Sequence, residues 1–206
     1  MPVHPVASRC LALGLLVFGS LPAAARGATA TFQQGVAGYG GAVDLTLSDQ
    51  NARHNGGVGN TIRDGDQIGC YRVSGAQGYE ARALLRFDGL ALPRGARVLS
   101  ATLTLTIESW SRDLTLRAYH LREPFSPTSR RLGWQGRDDG HGWAAPGALA
   151  KDAAPAFALT GFSGRGDEVF AAPLDPRVVE GWLRQPQGGG LQIGRASCRE
   201  RVSSPV

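Results

Sequence analysis

Arginine and tryptophan are the residues of this 206-residue chain whose types and spacing could do chemistry. Arg82 and Arg86 stand four apart in a segment where Ala81, Ala83, Leu85 and Phe87 alternate with Arg82, Leu84 and Arg86. On a strand, both arginines fall on the face opposite Phe87, and Arg117 falls opposite Leu116 in a second alternating segment. If the strands neighbour one another, these three arginines share an outer surface with Thr102, Thr104 and Thr106. Guanidinium forks suit carboxylates such as those of uronic acids. The same pattern also suits a solvated face with local Arg–carboxylate pairs. Trp110, Trp134, Trp143 and Trp182 could stack on sugar rings or serve as partly buried anchors. Trp143 is the best exposed candidate, because it lies in a glycine-rich stretch. Arg82, Arg86, Arg117 and Trp143 are therefore the candidate ligand-binding residues.

Catalysis finds little footing. His54, His120 and His141 have no spacing that suggests a metal pair. Gly161-Phe162-Ser163-Gly164-Arg165 fails the nucleophile-elbow pattern at its last position. A pair of carboxylates at glycosidase separation carries no weight among so many acidic residues. No catalytic residue is assigned, and the expectation is a non-enzyme that needs no cofactor. Asp64-Gly65-Asp66, with Asp49 or Asn51, offers oxygen ligands to calcium, but also reads as a plain Asp-Gly turn without EF-hand spacing. Arg165-Gly166-Asp167 spells an adhesion tripeptide at chance level, and a turn is its expected role.

The two ends distort the global numbers. Arg9, an apolar run from Cys10 to Leu21, and Pro22-Ala23-Ala24-Ala25 form a basic start, a short hydrophobic stretch and a small-residue cleavage site. Residues 1–25 are expected to be an export signal, because the run is short of the roughly 20 apolar residues of a spanning helix. At the other end, Ile193-Gly194-Arg195-Ala196-Ser197-Cys198-Arg199-Glu200-Arg201-Val202 matches one reading frame of a common sequencing-adapter oligonucleotide. Residues 193–206 are read as an adapter-derived tail that cuts a natural chain short. The formal net charge is +5, yet residues 27–192 hold 17 basic and 16 acidic side chains. The basic balance thus comes mostly from the ends, and no nucleic-acid partner is expected. Lys151 is the sole lysine, which with the many Ala and Gly points to a GC-rich bacterial genome. Cys10 and Cys198 fall in the end segments, so Cys70 stands alone in the body and makes no internal disulfide or zinc site. No membrane span is expected once the signal is removed, and the body fits one domain with one core.

The elements that must position these residues are mostly strands. Residues 97–108 alternate Ala101, Leu103, Leu105 and Ile107 with Thr102, Thr104 and Thr106, which sends Leu inward and Thr outward. A turn at Leu92-Pro93-Arg94-Gly95 joins this strand to 79–87. After Leu114, Leu116 and Ala118 the phase shifts to Tyr119 and Leu121, which predicts a bulge. Shorter strands are expected at 29–34, 43–47, 66–73, 156–160 and 167–172, with loops at 51–65 and 133–156. One helix is expected over 175–184: Asp175 caps it, Pro176 suits its first turn, and Val178, Val179 and Trp182 share a face. The fold class is all-β, an antiparallel sandwich with one short C-terminal helix.

Within this framework, Ala81-Arg82-Ala83-Leu84-Leu85-Arg86-Phe87-Asp88 and Leu92-Pro93-Arg94-Gly95-Ala96-Arg97-Val98-Leu99-Ser100-Ala101-Thr102-Leu103 resemble the core of the disaggregatase-related DNRLRE-domain family. Thr31-Phe32-Gln33-Gln34-Gly35-Val36-Ala37-Gly38-Tyr39, Trp134, Gly142-Trp143-Ala144-Ala145-Pro146-Gly147 and the Val178, Val179, Trp182 face extend the resemblance over 29–192. The sequence departs from the family at Gly89, in a longer loop over 51–78, and in ending before the last strand is complete. The resemblance implies a jelly-roll sandwich of secreted and surface proteins, often appended to an enzyme, here one beyond residue 192. Some members of the family are carbohydrate-binding modules for acidic polysaccharides such as alginate. Two functions are thus expected: a secreted polysaccharide-binding module, or a structural or cell-envelope-associated sandwich without a small ligand.

Overall fold

The computed structural model describes residues 7–18, 28–49, 60–62, 68–72, 79–93, 95–109, 114–149, 154–164, 166–185 and 189–195. Its strands are β1 (Ala7–Phe18), β2 (Ala28–Gln33), β3 (Ala42–Ser48), β4 (Asn60–Ile62), β5 (Ile68–Gly69), β6 (Tyr71–Arg72), β7 (Glu80–Phe87), β8 (Arg97–Ser109), β9 (Leu116–His120), β10 (Phe157–Leu159), β11 (Gly166–Leu174) and β12 (Gly189–Arg195), and the α-helix α1 spans Pro176–Leu183. All pairings are antiparallel. The first sheet runs β11-β8-β1-β2, with β5 on β1; the second runs β10-β9-β12-β7-β3-β4, with β6 on β7. The chain passes from β7 to β8, back to β9, and again from β10 to β11 to β12, changing sheets at each step, in the manner of a jelly roll.

The alternation of β8 fixes its orientation. Leu103, Leu105 and Ile107 are buried between the sheets while Thr102, Thr104 and Thr106 stay half-exposed on the other face. At its start, Ser100 pairs with Leu16 and Val98 with Val17, leaving Leu99 as an unpaired extra residue, 54% exposed. That bulge resets the phase, so Val98 and Ala101 both face inward. Opposite them lie Ala83, Leu85 and Phe87 of β7, Leu116 and Ala118 of β9, and Leu191 and Ile193 of β12. The predicted register of β7 and β8 therefore holds.

The helix closes one end of this core. Asp175 Oδ1 accepts the backbone N–H of Arg177 at 2.8 Å, and Pro176 occupies the first turn, where its missing N–H is not needed. Val179 and Trp182 are buried, and Glu180 Oε1 accepts the Val98 N–H at 3.0 Å, tying the helix to the start of β8.

Three expectations are corrected. No phase shift interrupts β9: pairing with β12 runs without a break from Leu116 to His120, and Leu121 N–H donates onward to the Gly190 carbonyl at 3.0 Å. Tyr119 and Leu121 looked out of phase because the other face of this sheet is covered as well. The stretch 51–65 is not all loop, since β4 lies within it and pairs with β3. The last strand is no exposed edge: β12 sits between β7 and β9 and pairs with both across Leu191–Ile193, so backbone pairing there does not depend on the side chains after Ile193. Residues Ala7–Phe18, within the segment expected to be an export signal, form β1 between β8 and β2.

The second sheet carries a second apolar layer on its outer face. Leu45, Leu47 and Leu84 point away from the sandwich core and meet Phe125, Leu132 and Trp143 from the segment 121–149. That segment folds on itself through a bridge between Gly136 and Gly142. It ends in a 3-10 turn, Pro146–Ala148, where Gly147 takes φ +72. A Cβ on Gly147 would lie 2.8 Å from both Arg82 Nη1 and the Trp134 ring, so conformation and space both require glycine there.

Candidate ligand-binding cleft

The predicted arginines project from the expected face of β7, but the 121–149 segment lies over them. Arg82 donates from Nε to Glu80 Oε1 at 2.8 Å and from Nη1 to the carbonyls of Pro146 (3.3 Å) and Gly147 (3.1 Å). Its guanidinium sits 4.8 Å from the Trp134 ring centroid. Arg86 donates from Nη2 to Asp88 Oδ2 at 2.6 Å and from Nη1 to the Phe125 carbonyl, and lies 4.6 Å from the Phe125 ring. At 8% and 7% exposure, the two are internal tethers for the covering segment. Trp143 is 8% exposed, donates from Nε1 to the Gly133 carbonyl at 2.9 Å and packs on Phe125. Its expected exposure is thus corrected: the glycines around it let the chain turn back on the sheet and bury the indole. Arg117 lies half-buried on β9, with β12 between it and β7. Thr102, Thr104 and Thr106 are on the other sheet. A shared arginine and threonine surface does not form. Period-2 alternation specifies which face of β7 carries the arginines and is silent on what covers that face.

One of these arginines reaches a cleft of about 740 Å³ at the end of the sandwich. Its lining comes from Arg86 of β7, His120 of β9, Gly190 of β12, the helix wall of Trp182 with Gln185, and Arg122, Glu123 and Phe125 of the covering segment. The helix wall is fixed by close packing. Trp182 stacks on Phe87 at 6.2 Å and 17° and meets the His120 ring edge-on at 6.1 Å and 69°. A Cβ on Gly189 would come within 1.6 Å of Trp182 Cδ1, so glycine is what admits the indole. The covering segment is held too: Glu123 Oε1 accepts the Ala144 N–H at 3.0 Å, Arg137 Nε approaches Glu123 Oε2 at 3.6 Å, and Arg137 Nη1 donates to the Pro124 carbonyl at 3.0 Å.

Arg86 Nε and His120 Nδ1 are buried without hydrogen-bond partners. Burial holds the His120 imidazole below the usual histidine range, with the Asp175 carboxylate pulling weakly the other way. Arg122 is exposed and has no ion pair among the described residues. Gln185 follows the last turn of α1, where the carbonyl end of a helix favours hydroxyl and amine donors. A ligand carrying an acidic group and hydroxyls matches this lining.

The remaining candidates are placed as follows. Trp110, Asn51, Asp64, Asp66 and His54 lie outside the described residues. Asp49 Oδ1 accepts the Glu80 N–H at 2.7 Å. Among the described residues no cluster of three or more His, Cys, Asp or Glu could hold a metal ion. His141 sits on an exposed turn where Asp138 Oδ1 accepts from the Gly140 N–H and meets His141 Nδ1 at 2.7 Å; those contacts hold the Asp138 carboxyl below its usual range. Cys70 is buried and free, its thiol donating to the Ile193 carbonyl and pushed up to about 12 by burial. Sequence reasoning assigns His120, Arg122 and Gln185 no binding role and reads Trp182 as a helix-face residue that could stack on a sugar ring or serve as a partly buried anchor. Their one signal was the polar break at His120 that ends the Leu116, Ala118 alternation. Comparison of the chain with models of protein families, with curated proteins and with solved structures returns no match.

Proposed function

We propose that this protein is an exported, non-catalytic sandwich module that binds polysaccharide, acidic polysaccharide in particular, in the cleft beside Trp182. The cleft itself carries the reading. Its volume of about 740 Å³ lies in the range of about 300–1,000 Å³ usual for small-ligand sites. Its walls combine aromatic, guanidinium, imidazole and amide groups, as sugar recognition requires. The resemblance of residues 29–192 to DNRLRE domains supports the same reading, and the pattern of residues 1–25 supports export. No helix among the described residues is long and apolar enough to cross a membrane. The nearest carboxylate in the cleft, Glu123, is engaged by Ala144 and Arg137, which supports binding over catalysis.

A structural or envelope-associated role without a small ligand is favoured by one observation. Arg82 and Arg86, which drew attention to acidic ligands, hold the covering segment to its sheet. Affinity electrophoresis through gels containing alginate, pectin or a neutral glucan separates the two readings. Retardation on an acidic gel, weakened by salt and by Arg122→Ala with Gln185→Ala but not by Arg117→Ala, supports the binding module. Equal mobility in every gel supports the structural role.

A further inference from the structure

We propose that a sugar carboxylate sits between the Arg122 guanidinium and the His120 imidazole, so that each binding event takes up one proton from solvent. The proposal rests on the cleft being the polysaccharide site. His120 and Arg122 are two residues apart on a segment whose pairing continues through Leu121 N–H to the Gly190 carbonyl, so both side chains leave the same side of the chain. Both line the cleft. Arg122 is exposed and supplies a fixed positive charge, and His120, half-buried, supplies an imidazole ring to the same lining.

The groups around His120 leave it as the proton acceptor. The helix presents uncharged Trp182 and Gln185 in the cleft, with Asp175 at its capped end. Strand β12 presents Gly189 and Gly190. The covering segment presents Arg122 and Glu123, and β7 presents Arg86, already paired with Asp88. Histidine is the side chain whose ordinary range lies between about pH 5 and 8, and His120 is the histidine of the cleft lining. Without ligand, burial lowers the pKa of the imidazole and so favours its neutral form. A bound carboxylate supplies the missing opposite charge, draws a proton onto the ring and turns the contact into a charge-assisted hydrogen bond.

Titration calorimetry of the full chain with a uronic-acid trisaccharide tests this, run between about pH 5 and 8 in buffers of differing ionisation enthalpy. The carboxyl-reduced trisaccharide is the control. Affinity should rise as pH falls, with about one proton taken up at mid-range. Arg122→Ala should lose about tenfold in affinity, as a charge-assisted contact implies. His120→Gln should lose the pH dependence and the proton uptake. If that variant does not fold, the proton count of the wild-type chain and the Arg122→Ala profile still decide. Equal affinity for the acidic and reduced sugars with no proton uptake overturns the carboxylate pair while leaving the polysaccharide reading in place. Failure of both sugars to bind overturns both.

Discussion

The two sheets of the sandwich bury their strands differently. In the first, β8 alternates from Ala101 to Ile107, with leucines inward and threonines half-exposed, and Val169 of β11 is 71% exposed on the open face. In the second, Ala81 to Phe87 of β7 are buried without interruption, because the sandwich core takes one face and the 121–149 segment takes the other. The first sheet obeys the pattern of a half-exposed antiparallel sheet. The second places arginines where that pattern expects solvent and satisfies them with backbone carbonyls, carboxylates and aromatic faces. Similar alternation thus has two meanings, depending on whether another layer of chain lies above it.

The largest effects should come from the core that both sheets share. Leu103→Ala should cost about 2–5 kcal/mol in urea unfolding, and Leu84→Ala under the covering segment should approach the lower end of that range. A Leu84→Ala cost near zero would break the comparison, showing the outer layer to lie outside the cooperative unit. Next comes the tether. Arg86→Ala should cost about 2 kcal/mol, less than the roughly 3–5 of a wholly buried pair because Asp88 is 30% exposed. Arg86→Lys should not restore it, since one ammonium replaces a fork that reaches Asp88 and the Phe125 carbonyl at once.

Those arginines show how far the sequence could be read. The inward face of β8, the helix with its Asp175 cap, and the sandwich itself follow from local periodicity and capping chemistry, which are properties of neighbouring residues. The cleft does not. His120, Arg122, Trp182 and Gly189 converge only after a helix, a strand and a covering segment have docked, and their separations in sequence carry no period. Trp143 was read as exposed because glycines surround it, although those glycines serve the tight turns that bury it.

Acid should separate the two ends of the molecule more gently. His120 titrates lower in the folded chain than unfolded, so it contributes stability above the ordinary histidine range, and that contribution is lost as pH falls through the range and below. His120→Gln should flatten this part of the stability profile, measured by urea midpoints between about pH 5 and 8. The smallest effect belongs to the open face. Val169→Thr should move stability by no more than about 0.5 kcal/mol, and a loss beyond about 1 kcal/mol would reveal a cover on the first sheet as well.

Strand β1 also has a topological consequence. It contributes two seams of backbone hydrogen bonds, one to β8 across Ala7–Phe18 and one to β2. Because it is antiparallel to both, β2 and β8 run in the same direction, with Phe32 and Leu103 at one level through Leu13. Membership of the sheet and proteolytic loss after Ala25 are therefore mutually exclusive fates for the same twelve residues. A processed chain would hold a different sheet from its precursor: β2 would have to shift by one strand spacing of about 4.8 Å onto β8 as a parallel neighbour, or turn over to meet it antiparallel. Maturation would then be an isomerisation of the fold as well as the loss of a segment.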